Sequence, residues 1–131
     1  MLEFLRNHWK SITWAAFILL LCGIPGNQID KVKFIDIPHI DKIVHTSFYL
    51  VFSLLLISEN NSLKQQQKAT LKAILIAAAI SISYGVLIEI FQKFIFINRS
   101  AEFWDVVANT FGFILATLSY RLVNRITQGY I

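Results

Sequence analysis

The sequence predicts an all-α integral membrane protein, a four-helix bundle with both termini in the cytoplasm. Three observations carry that reading. The chain has 131 residues, of which 56 % are hydrophobic and only 15 % charged, against roughly 25 % charged in an ordinary soluble domain. A chain this short exposes much of its surface, so in water it could not hide so much apolar area. The charges also fall in clumps, and the stretches between them are apolar on all faces, without the charged stripe of a surface helix. A soluble bundle of buried helices is the alternative, because no uncharged run clearly exceeds the ~18 residues that make a span unambiguous.

The elements follow from the gaps. The first span, about 9–26, is uncharged and Leu-rich from Ser11 to Ile24 and stops at Pro25-Gly26. No small-x-small cleavage site follows it, and Leu21 before Cys22 makes a poor lipobox, so it reads as a retained helix. The second, about 41–58, is interrupted only by His45, Thr46, Ser47 and Ser53. In the third, about 72–97, the polar exceptions singled out are Glu89, Gln92 and Lys93, and in the fourth, about 103–122, Asn109, Thr110, Thr117 and Ser119. Trp9, Trp14, Trp104 and Tyr120 stand near span ends, where interfacial aromatics belong. Residues 1–131 thus form a single transmembrane domain.

Orientation comes from the basic residues. With four spans, the side holding both termini carries Arg6, Lys10, Lys64, Lys68, Lys72, Arg121 and Arg125, seven against the five on the other side. That asymmetry places the termini in the cytoplasm. Ser62 and Gln65 have capping-box spacing for a helix that runs into the third span and lines Lys64, Lys68 and Lys72 along one face. A single cysteine excludes an internal disulfide, and the basic surplus suits membrane flanks rather than nucleic acid.

The polar residues inside the spans converge on one level. Asp41, His45 and Tyr49 follow at i+4 steps down the second helix from its outer end, and so share a face. Glu89 lies about 25 Å along the third helix, at 1.5 Å per residue, with Gln92 on its face. The fourth re-enters near Asp105, followed by Asn109 and Gly112, while Arg99 lies in the short connection before it. Each such group would cost several kcal/mol facing lipid, so they are expected to face inward and pair, for example Arg99 with Asp105 or Glu89. The cytoplasmic half of each helix reads as apolar. Ser81 with Gly85, and Gly112 with Ala116, are small-x-x-x-small pairs suited to close approach of the third and fourth helices. A buried polar network that merely fixes helix register is the bland alternative to a working pocket.

Asp41-Lys42-x-x-His45-x-x-x-Tyr49, Tyr84-Gly85-x-x-x-Glu89-x-x-Gln92, Arg99-Ser100 and Asp105-x-x-x-Asn109-x-x-Gly112, in this order, resemble the VanZ-like family of small bacterial membrane proteins. The resemblance covers residues 41–112, with the first helix matching only as a generic span. Asn109 is the neutral choice at a position where Asp or Asn is expected, which leaves Asp105 as the only acid of its motif. The resemblance implies a multi-pass protein of the bacterial plasma membrane with a cell-envelope role. The family's namesake is linked to lowered sensitivity to teicoplanin and its lipid-tailed relatives, and no reaction comes with it.

Two functions of different classes stay open. In one, an outward-facing pocket binds a membrane lipid or lipid-linked headgroup, with Lys42, Tyr49, Gln92, Arg99 and Asn109 as binding residues and Lys42 and Arg99 as phosphate partners. In the other, an intramembrane enzyme acts on a lipid-linked substrate, with His45, Asp41, Glu89 and Asp105 as candidate catalytic groups; Asp41 would orient His45 as base and Glu89 would serve as acid. No cofactor is expected. Asp41, His45, Glu89 and Asp105 are legitimate metal ligands, but His45 is the one imidazole within a span and Lys42 and Arg99 already supply neutralising charge, so no metal is expected either. A homo-oligomer is compatible with the sequence.

Overall fold

The computed structural model describes residues 2–25, 40–61, 68–97 and 100–130. Four helices account for almost all of them: α1 (Leu2–Cys22), α2 (Ile40–Asn60), α3 (Leu71–Phe94) and α4 (Phe103–Ile126). No strand occurs among the described residues. Three helices, α2, α3 and α4, are long and apolar enough to cross a membrane. α2 alone, 21 residues, spans about 32 Å, the thickness of a bilayer's hydrocarbon core.

α1 differs from the others. Its backbone leaves helical geometry at His8 (φ −120°, ψ 17°), and its uncharged stretch after Lys10 reaches only Cys22, short of the ~20 apolar residues a span needs. The first amides of a helix start need partners from outside it. One is met from outside: the Ser11 amide donates to Glu59 Oε1 on α2, at 3.1 Å. A carboxylate at a helix start is also favoured by the helix dipole.

α2 is the central element, in contact with each of the other three. α1 lies antiparallel to it, tied by Trp14 Nε1 donating to the Phe48 carbonyl at 3.0 Å, and reaches α3 where Tyr84 Oη donates to the Ala15 carbonyl at 2.7 Å. α4 runs parallel to α2, and this is the most intimate pairing in the molecule. A Cβ on Gly112 would stand 2.9 Å from the Leu50 amide nitrogen and 3.1 Å from Tyr49 Cβ. The small-residue motif of α4 therefore seats it on α2, not on α3 as the sequence suggested. Gly85 is the small residue that draws α3 in, since its own Cβ would lie 3.1 Å from Asn109 Nδ2 and 3.4 Å from the Tyr49 hydroxyl.

The end of the bundle where α2 finishes is not apolar, contrary to the sequence reading. Asn61 donates to the Tyr120 hydroxyl (3.0 Å) and to the Lys68 carbonyl (2.7 Å), and accepts from the Thr70 amide (3.0 Å). It ties the end of α2 to the start of α3 and the last turns of α4. Tyr120, expected at the interface, is 1 % exposed, and Trp14 is turned inward by its bond to α2. Trp9 and Trp104 are the exposed pair. The α3 helix starts at Leu71, with Thr70 as N-cap accepting from the Ala73 amide. Lys68 therefore precedes the helix and does not continue the face of Lys72; Lys64, Ser62 and Gln65 lie outside the described residues.

Candidate polar site at one end of the bundle

The antiparallel order brings the start of α2, the end of α3 and the start of α4 to one level, and the polar residues of all three meet there. Lys42 extends from the first turn of α2 toward α4. Its Nζ lies 2.7 Å from Asp41 Oδ2, 2.6 Å from Glu102 Oε2 and 2.5 Å from Asp105 Oδ1. An ammonium has three hydrogens, and three carboxylates take them. Asp41 and Glu102 are about half exposed, whereas Asp105 is almost fully buried.

One turn deeper, His45 stands between Asn109 and Asp105. Its Nδ1 is 3.0 Å from Asn109 Oδ1, and its Nε2 is 3.8 Å from Asp105 Oδ2. Asn109 Oδ1 can only accept, so Nδ1 is the donor of this bond and Nε2 is the nitrogen turned toward Asp105. The acid beside His45 is Asp105, from another helix. Asp41, one turn before it on the same helix and nearer the bundle end, is half exposed and bonds Lys42 instead. Thr46 Oγ1 donates to the Ala108 carbonyl at 3.2 Å, which fixes the axial register that places His45 opposite Asn109.

Glu89 enters from α3, 6 % exposed. Oε2 accepts the main-chain amide of Glu102 at 2.9 Å, and Oε1 is buried without a hydrogen-bond partner. Sequence reasoning expected a side-chain partner for this carboxylate; among the described residues its hydrogen bond is to backbone. One ligand atom each of His45, Glu89 and Asp105 lies within 4.8 Å of the others. Gln92, Tyr49 and Asn109 are buried nearby, with Gln92 Oε1, the Tyr49 hydroxyl and Asn109 Nδ2 also unpartnered.

Of the sequence-selected residues, the structure gathers Asp41, Lys42, His45, Glu89, Asp105 and Asn109 into one connected network, with Tyr49 and Gln92 buried on the same helices. Arg99 lies outside the described residues. Glu102 was missed as a member: it is the N-cap of α4, it bonds Lys42 through its side chain, and its amide holds Glu89. The available signal was its spacing, three residues before Asp105, which puts two acids at one helix start.

The network can do two things chemically. Its outer part is anionic, with Asp41 and Glu102 each offering a second oxygen to the surroundings. Its inner part presents the acceptors His45 Nε2, Asp105 Oδ2 and Glu89 Oε1 at the boundary of a low-dielectric core, where unpaired acceptors are costly.

A family model described as VanZ/LLP1 matches residues 2–124. No curated protein and no solved structure matches the chain.

Proposed function

The chain belongs to the VanZ/LLP1 family, and from that premise we propose that it is a cell-envelope protein whose polar site binds the headgroup of a membrane lipid or lipid-linked molecule at the outer face of the bacterial plasma membrane. The observation that carries this reading is the placing of acids from three helices together at one end of the bundle. A cluster at that depth meets headgroups, whereas one at mid-depth would meet acyl chains.

The charge balance selects among headgroups. Lys42 is saturated by Asp41, Glu102 and Asp105, so it is not the free phosphate partner that the sequence suggested. Among the described residues, three carboxylates bond one ammonium, and Glu89 adds a fourth carboxylate held by a main-chain amide. An amine-bearing headgroup, presented to the half-exposed carboxylates of Asp41 and Glu102, suits that rim better than a bare phosphate. Occupying such headgroups would alter how lipophilic, lipid-tailed glycopeptides reach the outer leaflet.

A second reading is supported by His45 itself. A ring held at Nδ1 by Asn109 with Nε2 turned toward a carboxylate is also the arrangement of a general base. In that reading the protein acts on a lipid-linked envelope substrate with His45 as base, Asp105 beside it and Glu89 as acid.

The test expresses Asp41→Asn, Glu89→Gln and, as control, Lys68→Gln at matched membrane levels and measures sensitivity to teicoplanin and a lipid-tailed relative. The two site variants are expected to restore sensitivity while the control keeps protection. Three variants that all behave like the parent would reduce the site to scaffolding. Turnover of a lipid-linked substrate abolished by His45→Ala would favour the enzyme.

A further inference from the structure

Two groups of potential metal ligands share Asp105. The outer one is Asp41, Glu102 and Asp105; the inner one is His45, Glu89 and Asp105. The chain supplies its own cation to the outer group, since the Lys42 ammonium bonds all three carboxylates. Of the inner group it bonds only the shared Asp105; among the described residues no cationic side chain hydrogen-bonds Glu89, although the inner group is the more buried. His45, Glu89 and Asp105 are 7 %, 6 % and 6 % exposed.

We propose that His45, Glu89 and Asp105 bind one divalent transition-metal cation, zinc or manganese by the chemistry of the donors. Each ligand is already held from behind through one atom and keeps another free. Asn109 Oδ1 holds His45 at Nδ1, leaving Nε2. Lys42 holds Asp105 at Oδ1, leaving Oδ2, which faces His45 Nε2 at 3.8 Å. The Glu102 amide holds Glu89 at Oε2, leaving Oε1 buried and unpartnered. One imidazole nitrogen and two carboxylates, each oriented by an outer hydrogen bond, are the donor set and the support that such ions use.

The dimensions agree. Ligands at about 2.0–2.2 Å in a tetrahedral arrangement stand roughly 3.3–3.6 Å apart. The His45–Asp105 separation of 3.8 Å is close to that, and all three ligand atoms lie within 4.8 Å of one another, so the group closes with side-chain adjustments of about 1 Å. Without a cation the same three lone pairs repel one another in a dry setting, which is why a cation belongs there. Two carboxylates also offset the charge of a divalent ion, so the loaded site is neutral. Three protein ligands leave a coordination position open.

The test uses the whole chain purified in detergent, stripped with a chelator and titrated with Zn²⁺ by calorimetry. Saturable binding of one Zn²⁺ per chain with a rise in thermal unfolding temperature is expected, and Glu89→Gln and Asp105→Asn should each weaken it at least about tenfold. The unmutated protein loaded with Mn²⁺ gives an independent readout that needs no variant. Pulsed electron paramagnetic resonance should show one coupled imidazole nitrogen, lost in His45→Gln. Absence of saturable Zn²⁺ binding, a Mn²⁺ spectrum without nitrogen coupling, or binding unchanged in both carboxylate variants would overturn the proposal.

Discussion

Gly112 of α4 lies directly against the backbone of Leu50 on α2, so close that a Cβ added to it would stand 2.9 Å from the Leu50 amide nitrogen and nearer still to the Thr46 carbonyl oxygen. This contact sets the axial register of two parallel helices, and the register places Asn109 opposite His45 one turn away. Main-chain atoms on a central helix cannot yield as a side-chain tip can. Gly112→Ala is therefore expected to cost about 1–3 kcal/mol, the range of overpacked cores. Gly85→Ala should cost less, because the atoms it meets are side-chain atoms of Asn109 and Tyr49. Thermal unfolding of both variants in the same detergent checks the order; equal shifts would contradict it.

The bond between Asn109 and His45 fixes which ring nitrogen is protonated. In the parent protein the ¹⁵N spectrum of His45 should show Nδ1 as a protonated nitrogen. Asn109→Leu removes the acceptor and should yield a mixture of tautomers, whereas Asn109→Asp keeps an acceptor and should keep Nδ1 protonated. An unchanged tautomer in the leucine variant would show that something else orients the ring.

Much of this site was legible because polar residues in apolar helices are sparse and their spacing is informative. Asp41-His45-Tyr49 and Asp105-Asn109-Gly112 each announce one face, and the antiparallel order of the chain then brings them to one level with Glu89. Spacing does not reveal the rotation and axial offset of one helix against the next. That is why Asp41 was paired with His45 when Asp105 is its neighbour, and why Gly112 was assigned to the wrong helix partner. Tyr120 illustrates a second limit: an amphipathic aromatic near a helix end looks the same whether its hydroxyl reaches headgroups or, as here, a buried Asn61. The break at His8 had no Gly or Pro to signal it.

That break yields a stability prediction. Glu59 Oε1 accepts the Ser11 amide at the restart of α1, from across the bundle. Glu59→Ala removes both the hydrogen bond and the charge and should destabilise by about 1–2 kcal/mol, as a lost helix cap does. Glu59→Gln keeps an acceptor and should cost only the dipole contribution, about 0.3–1 kcal/mol. Far larger losses in the glutamine variant would mean that the charge itself has a partner beyond Ser11.

The last prediction concerns which way the site faces. Among the described residues, Arg6, Lys10, Lys68, Lys72, Arg121 and Arg125 lie toward the end opposite the site, while only Lys42 and Lys93 lie toward the site end. Lys42 is neutralised by its carboxylates, and Asp41, Glu89, Glu102 and Asp105 stand at that same level. Basic flanks are retained on the cytoplasmic side during insertion, so the site end is expected to face outward. Single cysteines at Ser100 and Lys68, both exposed, report on the two ends once the buried Cys22 has been replaced by serine. A membrane-impermeant maleimide added to intact cells should modify Ser100→Cys and spare Lys68→Cys until the membrane is opened. The reverse pattern would turn the polar site to the cytoplasm, and an outer-leaflet headgroup could then no longer be its ligand.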